Sequence, residues 1–99
     1  MTQRIGPYPP VHPGEVLQIE FLEPIELTPY ALAGACHVPR TRIERLVRCE
    51  TRLTAGTALR LSRYFGTTPQ FWMNLQSGYD LAVANLAGNL DEIEPRTAA

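Results

Sequence analysis

The sequence predicts an all-α fold: a compact domain of five helices, the second and third forming a helix-turn-helix. Three observations lead there. Threonine–proline pairs stand at Thr28-Pro29 and Thr68-Pro69; threonine caps a helix and proline fills its first turn. Apolar residues recur at spacings of three and four. Alternating β-branched runs and Asn-Gly or Asp-Gly hairpin turns are absent from the 99 residues.

Each helix has its own signals. Pro9, Pro10 and Pro13 keep the start extended, and Pro13 then opens helix one with Glu15 in its first turn. Val11 and Val16 have the spacing of a hydrophobic staple. Helix one should end near Glu23, because the residue before Pro24 is pushed out of helical conformation. Helix two starts at Thr28-Pro29, with Leu27 and Leu32 placed to staple it, and runs to Cys36. Its small residues Ala31, Ala33 and Ala35 allow close approach of another helix. Helix three is expected from Pro39 to Arg48. Thr54 caps helix four, which runs to Phe65 and stops at Gly66. Helix five follows Thr68 and extends from Pro69 to about Ala87. The domain plan is one unit over 1–99: an extended arm over 1–11, a helical core over 12–87 and a flexible tail over 88–99.

Composition narrows the function classes. A chain of 99 residues, 44% apolar, fills one core but not separate cofactor and substrate domains. The proline-rich start lacks the apolar stretch of a signal peptide, and no run of eighteen apolar residues exists. The expected compartment is the cytoplasm, with no membrane partner. Cys36 and Cys49 are too few for a disulfide scaffold and read as a buried small residue and an incidental thiol. His12, Cys36, His37 and Cys49 lack paired zinc spacing, so no metal and no cofactor is expected. His12 reads as a helix boundary and His37 as a turn residue. No nucleophile elbow or glycine-rich phosphate loop accompanies them, which argues against an enzyme. Asp80, Asp91, Glu92 and Glu94 do not read as a metal cluster, since the last three fall in a polar, solvated terminus.

A net charge of −1 hides a segregation. Residues 1–39 set Arg4 against Glu15, Glu20, Glu23 and Glu26. Residues 40–63 set Arg40, Arg42, Arg45, Arg48, Arg52, Arg60 and Arg63 against Glu44 and Glu50. Residues 64–99 set Arg96 against Asp80, Asp91, Glu92 and Glu94. A basic middle between acidic flanks suits a polyanion on one face and a different partner elsewhere. All nine basic residues are arginine, whose fork matches phosphates and guanine edges.

Helix three carries the sharper signal. At about 100° per residue, Ile43, Leu46 and Val47 form one stripe, and Thr41, Arg45 and Arg48 point away from it. Arg42 and Glu44 flank them, and Arg40 lies in the first turn, which meets the groove in a helix-turn-helix. These side chains suit base edges in the major groove. Thr28 and Tyr30 at the start of helix two, with Arg52, are expected phosphate contacts. The pattern alone also fits a basic surface helix without a partner.

Beyond the helix-turn-helix, the segments HPGEVL (12–17), FLEP (21–24), YALA (30–33), VPRTRI (38–43), TALRLSRYFG (57–66) and FWMNLQSGYDL (71–81) resemble the HigA antitoxins of the Xre/Cro repressor superfamily. The resemblance spans roughly Val11 to Val83. It implies a five-helix fold of lambda-repressor-like type, a homodimer, repression of its own operon through double-stranded operator DNA with an inverted repeat, and neutralisation of a HigB-like, RelE-class RNA-cleaving toxin in a bacterial cytoplasm. Two positions depart from the family pattern. His37 stands where the turn commonly has glycine, and Cys49-Glu50-Thr51-Arg52 replaces a glycine followed by a basic residue. Glu50 is expected near the DNA backbone, where it would weaken binding. A solitary regulator without a toxin, or an interaction module that has lost DNA binding, stays open as an alternative.

Phe71, Trp72, Leu75, Tyr79, Ala82 and Val83 make a stripe along helix five. The helix is long for so small a domain. Phe71, Trp72, Leu75, Tyr79 and Val83 are therefore the expected dimer face.

Overall fold

The computed structural model describes residues 10–97; most of the expected N-terminal arm and the last two residues lie outside them. Among the described residues there are five main helical segments, a short 3-10 turn in the tail and no strand.

The first segment, α1, differs from the expectation. It begins as an α-helix over Pro13–Val16, widens into a π-helix over Leu17–Leu22 and closes as a 3-10 turn over Glu23–Ile25. The Glu23 N–H donates to the Gln18 carbonyl five residues back. Leu17 and Leu22 explain the widening. They are five apart, about 140° apart on a regular helix, yet both are fully buried. A turn with i→i+5 bonds brings positions five apart towards one side. The widened helix ends at Leu22, next to the expected Glu23, and a 3-10 turn carries the chain on to Ile25. Pro24 falls in the first turn of that 3-10 segment, where proline's fixed φ is tolerated.

The other helices follow their caps. α2 is Pro29–Cys36, with Thr28 Oγ1 accepting from the Ala31 N–H at 3.0 Å. α3 is Arg40–Val47, one residue shorter at each end than expected: Pro39 keeps extended dihedrals and Arg48 leaves the helical region. α4 is Ala55–Phe65, capped by Thr54 and ended by Gly66 at φ 76°. α5 is Pro69–Ala87, capped by Thr68. In the tail, Leu90–Glu92 form a 3-10 turn.

Helix ends with left-handed residues lean little on glycine. Glu26, His37 and Cys49 all have positive φ, at 55°, 59° and 63°. At each one the next N–H reaches five residues back, Leu27 to Leu22, Val38 to Ala33 and Glu50 to Arg45. This is the Schellman closure, which satisfies carbonyls that a helix end leaves open. The turns at His37 and Cys49, where the family commonly has glycine, are therefore closed, at the cost of a side chain in left-handed space.

Leu17, Leu22, Leu32, Ala33, Cys36, Ile43, Leu46, Leu53, Ala58, Leu61 and Trp72 form one core. Each buried leucine or isoleucine contributes about 1.5–3 kcal/mol by leaving water. Phe21 joins α1 to that core, with ring centroids 5.0 Å from Phe65 and 4.8 Å from Trp72. Trp72 corrects the expected dimer face. Its relative exposure is 0%, and its indole N–H is spent on Thr67 Oγ1 at 2.7 Å. It has no surface to offer a second chain.

Candidate nucleic-acid interface

α3 is held from behind and presented in front. Ile43 and Leu46 are buried, whereas Arg40, Thr41, Arg42, Arg45 and Arg48 are exposed. α2 packs across α3, with Ala33 permitting the close crossing, and α4 packs on α2. The Arg60 guanidinium donates to the Cys36 carbonyl at 2.8 Å and so ties the end of α2 to α4. Burial pushes the Cys36 thiol above its usual range, which keeps it protonated and inert.

The front is pinned by contacts that the sequence did not reveal. His12 caps α1: Nδ1 accepts from the Gly14 N–H at 2.9 Å. The neutral imidazole proton then belongs on Nε2, facing the Thr51 backbone. The ring is buried and meets Tyr79 of α5 edge-on at 4.8 Å. Burial lowers the pKa of His12 more than the Thr51 contact, Asp80 and Glu15 raise it. Gly14 lies on the Leu46 carbonyl, leaving no room for a Cβ. The His-Pro-Gly run thus sets α1 directly on the last turn of α3.

Behind the loop that follows α3 lies Gln76, 2% exposed. Its Oε1 accepts from the Leu53 N–H at 2.6 Å, and its Nε2 donates to Asp80 Oδ1 at 2.9 Å. Asp80 in turn takes both terminal nitrogens of Arg52, at 3.2 and 3.0 Å. The Arg52 hydrogen bonds, with help from Gln76, hold the Asp80 carboxyl below its usual range. Asp80 is thus no solvated bystander. One signal was available: Gln76 and Asp80 sit four and eight residues after Trp72, on the buried side of α5, where a polar residue demands a partner.

Two groups of expected contact residues come together. Thr41, Arg42, Arg45 and Arg52 line an open groove of about 380 Å³, with Pro39, Leu46, Thr51, Thr54 and Thr57. Beside it, Arg40 lies 5.6 Å over the Tyr30 ring and 3.4 Å from Glu44. Thr28 caps α2 next to Tyr30, and Arg48 ends α3. Glu50 is exposed just beyond. Among the described residues, no three His, Cys, Asp or Glu side chains gather as a metal site would require.

This surface is a basic recognition helix beside a capped helix N-terminus, and known proteins share the chain that builds it. The chain is 51% identical over 76 residues to virulence-associated protein I of Dichelobacter nodosus, covering 77% of this chain and 70% of that protein. It is 44% identical over 72 residues to antitoxin HigA-1 of Vibrio cholerae, covering 73% and 68%. The chain belongs to the HigA family. Among solved structures, Pseudomonas aeruginosa antitoxin HigA with the higBA promoter matches at a TM-score of 0.85 and 46% identity, over 89% of this chain and 99% of that one. No family model matches. Within this HigA-family chain, two of the segments that carried the resemblance lock α1, α3 and α5 together. HPGE supplies His12 and Gly14, and the block from Phe71 to Leu81 supplies Trp72, Gln76, Tyr79 and Asp80.

The far half of α5 stays uncovered. Leu81 is 72%, Val83 41% and Leu86 70% exposed. Leu75 and Tyr79 are half-buried within the domain, Tyr79 on His12. Phe71 is 38% exposed. Among the described residues, no helix is long and apolar enough to cross a membrane.

Proposed function

We propose that this chain is a homodimeric transcriptional repressor and the antitoxin of a toxin–antitoxin pair, a binding protein rather than an enzyme, acting on bacterial DNA in the cytoplasm. One observation carries the DNA half. α3 has one side seated on the core through Ile43 and Leu46 and an exposed side of arginine and threonine, and three of those exposed side chains share a groove with Arg52. Thr41, Arg42 and Arg45 are the base-edge candidates, with Arg40, Glu44 and Arg48 at the margins. Thr28, Tyr30 and Arg52 are the phosphate candidates. The relative of known structure that carries its own promoter lends the operator reading its partner.

The dimer reading rests on α5. Val83 and Leu86, three apart on the side of α5 that also carries Phe71, leave exposed apolar surface that a second copy would cover. Two recognition helices about 34–36 Å apart would then read an inverted repeat. Charge supports the toxin reading. α1 exposes Glu15, Glu20 and Glu23, with Glu26 after it, beside exposed Ile19 and Ile25. An RNA-cleaving partner is expected to be basic, and that face complements it.

The test is a gel shift on the DNA upstream of the gene, titrated with salt. A complex on an inverted repeat that weakens steeply with salt supports the repressor. Absence of a shift at micromolar protein and low salt refutes it. Co-purification with the product of a small neighbouring gene tests the antitoxin half separately.

A further inference from the structure

The chain from the core to the groove runs Leu53 N–H, Gln76, Asp80, Arg52, with every link at 3.2 Å or less. Gln76 is buried and Asp80 half-buried, while Arg52 lines the groove with Thr41, Arg42 and Arg45. Asp80 takes one N–H from each terminal nitrogen of Arg52. Nε and the other terminal N–H groups are left to meet a ligand. An arginine free in solvent spreads over many rotamers, and holding it in one removes that cost from binding.

We propose that Asp80, itself held by Gln76, is a positioning residue for DNA binding: it fixes the Arg52 guanidinium at the edge of the recognition groove so that its remaining donors meet a backbone phosphate. The inference rests on the DNA-binding reading above. It sets positioning against simple Coulomb attraction, and the two predict opposite signs. Removing a carboxylate beside a polyanion site should tighten binding if only net charge matters. It should loosen binding if Asp80 aims Arg52.

The experiment measures affinity for the upstream duplex against salt for the wild-type chain, Arg52→Ala, Asp80→Ala and the double variant. Arg52→Ala should bind about tenfold or more weakly, as loss of one charge-assisted hydrogen bond implies. Its log–log salt slope should fall by about 0.9, one phosphate contact. Asp80→Ala should also bind several-fold more weakly, with no comparable fall in slope, since the arginine charge remains. The double variant should bind like Arg52→Ala alone. Asp80→Asn, which keeps the side-chain size, should weaken binding in the same direction and covers the case that Asp80→Ala melts near the assay temperature. Asp80 variants that bind as tightly as wild type, or more tightly, overturn the proposal. So does a loss that persists undiminished when residue 52 is alanine, which would assign Asp80 to the fold alone. An unchanged slope in Arg52→Ala removes the phosphate contact and the proposal with it. A wild-type chain that binds no duplex overturns the DNA-binding reading itself, an outcome distinct from the others.

Discussion

Gly14 at the start of α1 lies against the carbonyl of Leu46 in α3, and any Cβ at position 14 would collide with it. Leu46 also accepts the Cys49 N–H, so its carbonyl is fixed by the turn that closes α3. Neither side is a flexible side chain. Gly14→Ala should therefore cost at least the upper part of the about 1–3 kcal/mol typical of overpacking. A fall in the urea midpoint at unchanged m-value measures it. A neutral substitution would mean that α1 can lift off α3 freely.

Gln76 is the buried polar residue on which the loop after α3 hangs. Gln76→Leu fills the space but leaves the Leu53 N–H without an acceptor, at a cost of about 1–3 kcal/mol. The Leu53 amide should then exchange with solvent faster than its neighbours in α4. Unchanged protection at Leu53 would contradict the role given to Gln76.

His37 offers a gain. It holds φ at 59°, where an L-residue pays about 1–2 kcal/mol that glycine does not. Glycine loses more backbone entropy on folding, which offsets part of that. His37→Gly should stabilise the chain by up to about 1 kcal/mol, seen as a higher melting temperature. Gly66→Ala, at φ 76°, should move it the other way.

Stability should fall as the pH drops below neutral. Burial holds the His12 pKa below 6.5, so the unfolded chain takes up a proton that the folded chain refuses. The contribution of neutral His12 is whole above pH 6.5 and is lost as the pH falls through the folded pKa. Asp80, lowered from 3.8 by Arg52, adds a second loss in acid, as the pH falls through its own folded value. His12→Asn keeps a capping acceptor without the titration and should flatten the first step. Urea midpoints followed across pH would show whether that step persists in the variant.

Arg45 faces the groove and makes no ion pair among the described residues. If it grips a base, Arg45→Ala costs about 1–3 kcal/mol on the operator and relaxes one position. An equal loss on every sequence would reassign it to a phosphate.

The sequence alone determined the helices, because their signals are local. Thr28-Pro29, Thr54, Gly66 and Thr68-Pro69 act on backbone groups within a turn of themselves: α2, α4 and α5 start, and α4 stops, where they dictate. It determined the two sides of α3 as well, since a period of 3.6 residues decides which side chains share a face. Tertiary structure decided the rest. The π-helical widening of α1 exists because Leu17 and Leu22 must both reach one core, and no local rule demands that. Trp72 fits an exposed stripe and a buried one equally until Phe21 and Phe65 arrive from other helices to enclose it. Gln76 and Asp80 share a helical spacing, but nothing in the spacing links them to Arg52, which lies 24 positions before Gln76 along the chain. Only the packing of α5 against the loop after α3 makes them one network, because a buried amide must find its partners wherever the fold provides them.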